Sequence, residues 1–185
     1  HLSIRRQRQM CIRDSVNTGR GETQLAAMYR DGLLNDTLGF WLAHGVDRDY
    51  GGFYSLLDRD GGLMGTDKYI WLQGRFVWTL ATLYHQVEPR PEWLDLAEKG
   101  LAFLRRYGFA ESGKMYFAVD RQGRPLRMRR YLFSEVFMIM ALAAYAQATR
   151  DEAILGEARA LFFRMKYFCE TPGLLEPKIN PQTRP

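Results

Sequence analysis

From Glu22 onward the chain alternates between helical apolar spacing and short polar, glycine-rich interruptions. Leu25, Met28, Leu33, Leu34, Leu38 and Trp41 or Leu42 recur at three- and four-residue steps, which predicts a first helix closed by Gly45. The run from Asp49 to Gly62 reads as a short strand, a tight turn and a weak return strand. A second helix is predicted from about Lys68 to Gln86 and is broken by Pro89. Pro91 suits the first turn of a third helix, which runs to about Tyr107 before Gly108. Ser134–Ala148 and Asp151–Tyr167 are the fourth and fifth helices, and Thr171-Pro172-Gly173 ends the last.

The pattern repeats. Tyr116-Phe117-Ala118-Val119-Asp120-Arg121-Gln122-Gly123 mirrors Tyr54-Ser55-Leu56-Leu57-Asp58-Arg59-Asp60-Gly61 at an offset of 62 residues. The offset persists into the next helix, where Lys68, Tyr69, Ile70 and Trp71 match Arg130, Tyr131, Leu132 and Phe133. A fixed period carrying a hairpin and two helices signals a repeat architecture. The expected fold class is all-α, an α/α toroid in which inner and outer helices alternate and short β-hairpins gather at one end. Each unit buries its apolar faces only against neighbours. Five helices followed by a loop make an incomplete ring, so the chain is expected to be a truncated toroid.

Composition narrows this only a little. The 185 residues are 46% hydrophobic and 25% charged, as in an ordinary globular domain. No apolar run approaches the roughly 20 residues that span a bilayer. The net charge of +5 is concentrated in residues 1–23, where five arginines face Asp14 and Glu22. The remainder is only +2 with signs mixed, which argues against a nucleic-acid partner. Residues 1–22 carry neither period and read as a disordered or artefactual basic tail, leaving 23–185 as the folded domain. Cys11 and Cys169 lie far apart without ligand-type neighbours, which suits a reduced, cytoplasmic setting and gives no metal site.

The chemistry centres on Lys68-Tyr69-Ile70-Trp71-Leu72-Gln73-Gly74-Arg75. Trp71, Arg75 and Trp78 fall on one helical stripe, whose counterparts in the next repeat are Phe133, Phe137 and Met140. Arg75 is therefore a charge where the repeat-mate holds an apolar residue. If buried, it must meet a carboxylate, carbonyls or a ligand. Gly74 inside a helix costs about 1 kcal/mol relative to alanine, which suggests close approach by a ligand or by another backbone. Glu135 stands opposite Gln73 in the repeat, as either a partner for Arg75 or a hydroxyl acceptor. Tyr116 and Tyr54 share a hairpin position, where aromatic rings stack on sugars or simply pack.

These motifs resemble a known family. Trp71-Leu72-Gln73-Gly74-Arg75 after Lys68-Tyr69, with Phe40-Trp41-Leu42, the run from Asp47 to Phe53, and Phe133-Ser134-Glu135, is similar to the N-acylglucosamine 2-epimerases, also called renin-binding proteins. The resemblance implies a toroid of six helix pairs in a chain about twice this length, often dimeric. It also implies interconversion of N-acetylglucosamine and N-acetylmannosamine by removal and return of the C2 proton. The family's essential arginine maps onto Arg75. Tyr69, Trp71, Gln73, Tyr116 and Glu135 would meet the amino-sugar. No cofactor is implied for the chemistry, although ATP activates some members. The family's acid and base are histidines, and His44 and His85 match neither, so both are expected beyond Pro185. The alternatives are a mannose isomerase or cellobiose 2-epimerase, a non-catalytic binding protein, or a glycan hydrolase, which would need a second acid beside Glu135.

Overall fold

A computed structural model describes residues 19–128 and 131–175. The chain divides into two compact units, one ending at His44 and the other beginning at Gly45.

The described residues of the first unit, 19–44, are helical throughout. Helix α1 (Gly19–Asp31) passes through a π-helical stretch (Gly32–Thr37) into α2 (Leu38–His44). It begins inside the stretch read as a tail, and residues 1–18 lie outside the described ones. Of the predicted stripe only Leu34 and Leu38 are buried, while Leu25, Met28 and Leu33 are exposed. The π stretch supplies a reason, because an added residue per turn rotates the downstream face away from the period that the upstream face keeps.

The second unit begins with a hairpin, β1 (Leu56–Leu57) and β2 (Leu63–Gly65). Asp58 closes its turn by accepting from the Asp60 and Gly62 amides at 2.9 and 2.7 Å. Gly61 stands at φ 90°, where a side chain would be strained. The repeat reproduces this arrangement. Strands β4 (Ala118–Val119) and β5 (Pro125–Arg127) pair, Asp120 accepts from the Gln122 and Arg124 amides, and Gly123 has φ 91°.

Strand β3 (Lys68–Tyr69) pairs antiparallel with β4, so the second hairpin becomes three-stranded. This moves the predicted start of the second helix. Lys68 and Tyr69 are taken by the sheet, and α3 runs Ile70–Gln86. The remaining helices are α4 (Pro91–Tyr107), α5 (Phe133–Thr149) and α6 (Glu152–Glu170). Asp151 caps α6 by accepting from the Ala153 and Ile154 amides at 2.8 and 3.2 Å.

Helix α3 packs along α5, with α4 against α3 and α6 against α5. The core is Ile70, Val77, Leu80 and Ala81 of α3, Trp93, Ala97, Leu101 and Leu104 of α4, and Met138, Ala141 and Leu142 of α5. Gly74 is what brings α3 close to α5. A Cβ there would lie 2.9 Å from the Phe137 carbonyl carbon and 3.0 Å from its oxygen. Of the two explanations open for this glycine, the structure shows backbone approach.

Candidate active site

The β3–β4 pairing fixes the head of α3. The Ile70 amide donates to the Phe117 carbonyl at 2.9 Å, and the Tyr69 amide donates to Ser55 Oγ at 3.0 Å. Trp71, in the first turn, lies 5.7 Å from the Phe137 ring across the α3–α5 contact. Together with Phe117, Tyr131, Phe133 and Ser134 these rings line a cleft of about 540 Å³. A second hollow of about 550 Å³ shares Trp71 and Phe117 and is walled by Tyr69 and Arg127. The Tyr69 ring leans on Phe117 at 5.4 Å.

Arg75 stands one turn beyond Trp71. It is exposed, and among the described residues its guanidinium makes no hydrogen bond or ion pair. This corrects the reading of its stripe as a place for core residues. Trp71, Trp78, Phe137 and Met140 are only half-buried, and Phe133 is 59% exposed. The buried face of α3 is the neighbouring one, through Ile70, Gln73, Val77 and Leu80. Arg75 therefore stays in water and needs no protein carboxylate.

Gln73 and Glu135 lie on the buried faces, and neither lines the two clefts. Gln73 spends both ends of its amide on one residue: Oε1 accepts from the Phe53 N–H and Nε2 donates to the Phe53 carbonyl, each at 2.7 Å. Glu135 Oε1 accepts from the Met115 N–H at 2.6 Å, so it does not pair with Arg75. Tyr116 is half-buried, and its carbonyl accepts from Ser134 Oγ at 2.8 Å. Its ring lines neither cleft. The structure thus brings Tyr69 and Trp71 to the clefts, leaves Arg75 exposed one turn beyond Trp71 and lining neither cleft, and buries Gln73 and Glu135 away from them.

One cluster escaped the sequence reading. Lys68 is fully buried, and its Nζ donates to Asp47 Oδ2 at 2.9 Å, to the Gly51 carbonyl at 2.6 Å and to the Arg121 carbonyl at 3.0 Å. Arg121 reaches Asp47 and Asp49 and donates to the Tyr54 hydroxyl. Burial pushes the Asp47 carboxyl up, but hydrogen bonds from Arg121, Lys68 and the Tyr50 amide outweigh it and hold the group well below the usual carboxylate range. Burial pulls Lys68 down, against the opposing pull of Asp47. This cluster ties the Asp47–Phe53 loop to the β4–β5 turn and so braces both hairpins beside the clefts. Asp47 and Lys68 are 21 residues apart, and no local spacing signals their meeting.

Among the described residues no three His, Cys, Asp or Glu side chains converge as a metal site would require. No described helix is long and apolar enough to cross a membrane.

Comparison with known sequences bears on the site directly. The profile of N-acylglucosamine 2-epimerase (GlcNAc 2-epimerase) matches residues 51–176, which include both hairpins and helices α3 to α6. The chain belongs to the N-acylglucosamine 2-epimerase family. It is 41% identical over 152 residues to the N-acylglucosamine 2-epimerase of Bos taurus, covering 79% of this chain and 36% of that one. It is 29% identical over 132 residues to the cellobiose 2-epimerase of Bacteroides fragilis, covering 70% and 33%. The solved cellobiose 2-epimerase of Bacillus thermoamylovorans superposes with a TM-score of 0.70 at 25% identity, covering 78% of this chain and 37% of that one. The fold class is accordingly that of the α/α toroids, as the repeat implied. This member of the 2-epimerase family spans a little over a third of the length of the relatives it matches.

Proposed function

We propose that this chain supplies one wall of the sugar site of a 2-epimerase that interconverts N-acetylglucosamine and N-acetylmannosamine. The observation that carries the reading is an aromatic cleft at the head of α3, walled by Trp71, Phe117 and Phe137, with the Arg75 guanidinium one turn along and engaged by no described residue. Aromatic faces suit the apolar C–H faces of a sugar, and a free cation beside them suits an oxygen that gains negative charge.

Epimerisation at C2 proceeds from the opened sugar. A base removes the C2 proton, and the C–H electron pair forms the C1–C2 double bond as the carbonyl pair moves onto oxygen. Arg75 would donate hydrogen bonds to that oxygen. A preorganised donor of this kind is worth about 3 kcal/mol in the barrier. The proton then returns to C2 from the other face, and nothing is oxidised or reduced. No cofactor is called for, and ATP would act only as an activator.

The acid and base would come from parts of the whole protein outside these residues. No histidine lines either cleft. His85 is exposed at the far end of α3, about 21 Å along the axis from Trp71 at 1.5 Å per residue. The amino-sugar is favoured over the sister substrates because identity is higher to the N-acyl enzyme, 41% against 29%.

The test is deuterium incorporation at C2 in heavy water. The whole protein should label both N-acetylmannosamine and N-acetylglucosamine, and the 185-residue chain should label neither. Failure of the whole protein on both sugars, with labelling of mannose or cellobiose instead, would transfer the activity to a sister epimerase or isomerase. Labelling by the short chain alone would show that the base lies within it.

A further inference from the structure

Gln73 on α3 and Glu135 on α5 hold equivalent places 62 residues apart, and both are 1% exposed. Each reaches back 20 residues to accept a backbone amide, Gln73 from Phe53 and Glu135 from Met115. Phe53 and Met115 are repeat-mates as well. Each sits in an isolated antiparallel bridge, to Val46 and to Phe109 respectively. In both bridges the flanking residues make the backbone bonds. Asp47 donates to Gly52 and Tyr54 to Gly45 in the first, and Ala110 donates to Lys114 and Tyr116 to Gly108 in the second. The N–H and C=O of the central residue are therefore left for a side chain. In the first repeat both are used, because Gln73 Nε2 also donates to the Phe53 carbonyl. In the second, Glu135 Oε2 is buried and no donor reaches it.

An ionised carboxylate fits that place badly. Burial pushes the Glu135 carboxyl up, and the amides of Met115 and of Glu135 itself oppose the shift only in part. Two cations act on it from a distance, Arg164 of α6 and Lys114 of the Phe109–Met115 loop. Both are engaged elsewhere. Lys114 donates to the Leu174 carbonyl and lies 5.5 Å over the Phe168 ring, and Arg164 lies 5.2 Å over Phe109. Neither forms an ion pair with Glu135.

We propose that Glu135 is held as the neutral carboxylic acid and fastens Met115 as the Gln73 amide fastens Phe53, with Oε1 accepting from the Met115 N–H and the protonated Oε2 donating to the Met115 carbonyl. Glu135 is then a positioning residue. Met115 leads through Tyr116 into Phe117, and the adjacent Ser134 hydroxyl holds the Tyr116 carbonyl. Two neighbouring side chains at the head of α5 thus set the segment before β4 that carries Phe117 into the aromatic cleft. The inference does not depend on which ligand the cleft takes.

The proton is bound more tightly in the folded chain than in the unfolded one. Its contribution to stability is complete below the unfolded value of about 4.3 and is lost as pH rises through the higher folded value. The experiment is a carbon-13 titration of the glutamate side-chain carboxyls in the 185-residue chain, with urea unfolding across the same pH range. We expect one carboxyl resonance to keep its protonated position at pH values where the others have ionised, and to be missing from Glu135→Gln. We also expect the unfolding midpoint of the wild type to fall relative to Glu135→Gln as pH rises through that window. If every glutamate resonance of the wild type titrates together near the unfolded value, the proposal is overturned whether or not the variant folds. A deficit in Glu135→Gln of the same size at every pH overturns it too.

Discussion

Arg75 and Gly74 are neighbours with opposite demands. Arg75 faces solvent and touches no described side chain through hydrogen bond or ion pair, so Arg75→Ala should leave the fold within about 0.5 kcal/mol of wild type. The whole protein carrying it should lose C2 exchange by about 10²- to 10³-fold, as removal of an oxyanion donor does elsewhere. Paired urea unfolding and deuterium-exchange rates check both halves. A large stability loss with residual exchange intact would assign Arg75 a structural task. Gly74→Ala should do the reverse. Its new methyl would meet the Phe137 backbone at 2.9 Å, and overpacking of this sort costs about 1–3 kcal/mol. The chain should unfold at lower urea even though alanine is the better helix former.

At this scale the sequence told part of the story. The Trp71, Gln73 and Arg75 cluster was legible as a unit, because three chemically distinctive residues fall within five positions. Which of them face the cleft was not legible. Trp71 lines both clefts and Arg75 is exposed one turn beyond it, while Gln73 turns to Phe53, a residue 20 positions earlier whose free amide depends on the pairing of Val46. Periodicity describes one helix and carries no information about which loop will pack on it.

Between elements, the buried Asp47–Lys68 pair is the joint that matters. The helix pattern was read through Lys68, yet the residue belongs to β3 because Val119 and Ala118 offer a strand there. Its ammonium donates to the Asp47 carboxylate and to two backbone carbonyls. Asp47→Asn should therefore strand a buried cation and cost about 3–5 kcal/mol, whereas the double change Asp47→Leu with Lys68→Met should recover most of that loss. A double-mutant cycle in urea measures it, and additive losses would show that the pair is not coupled. The pH dependence has a definite sign. Asp47 is depressed in the folded chain, so its contribution is present above the unfolded value of about 3.9 and is lost as pH falls below it. Acid unfolding should begin at lower urea in that range for the wild type and be blunted in the double variant. By contrast, the glycine-rich turns carry their chemistry locally, in Asp58 with Gly61 and Asp120 with Gly123, although the return strand β2 (Leu63–Gly65) lies just beyond the Asp49–Gly62 run read as the first hairpin.

On the scale of the whole chain, the repeat was the strongest signal in the sequence, and it survives down to individual hydrogen bonds. Repetition also has a consequence that the local reading could not deliver. In such architectures each unit covers its neighbour, and a face without a neighbour stays wet. Helix α6 shows the pattern: it buries Ala158, Leu161 and Phe168, yet leaves Phe162, Phe163 and Tyr167 exposed, with Phe163 at 64%. These residues recur within two turns of one helix and would form a contiguous apolar patch of the kind that drives association. The 185-residue chain should consequently show concentration-dependent association in sedimentation velocity and bind an apolar dye. Replacing Phe163 and Tyr167 with glutamate should shift it toward monomer without lowering the unfolding midpoint, because neither side chain belongs to the core. If the wild-type chain sediments as a single monomer at every concentration, the patch is too small or too interrupted to act. If the double variant unfolds earlier than wild type, the two rings pack on something and the face is not free.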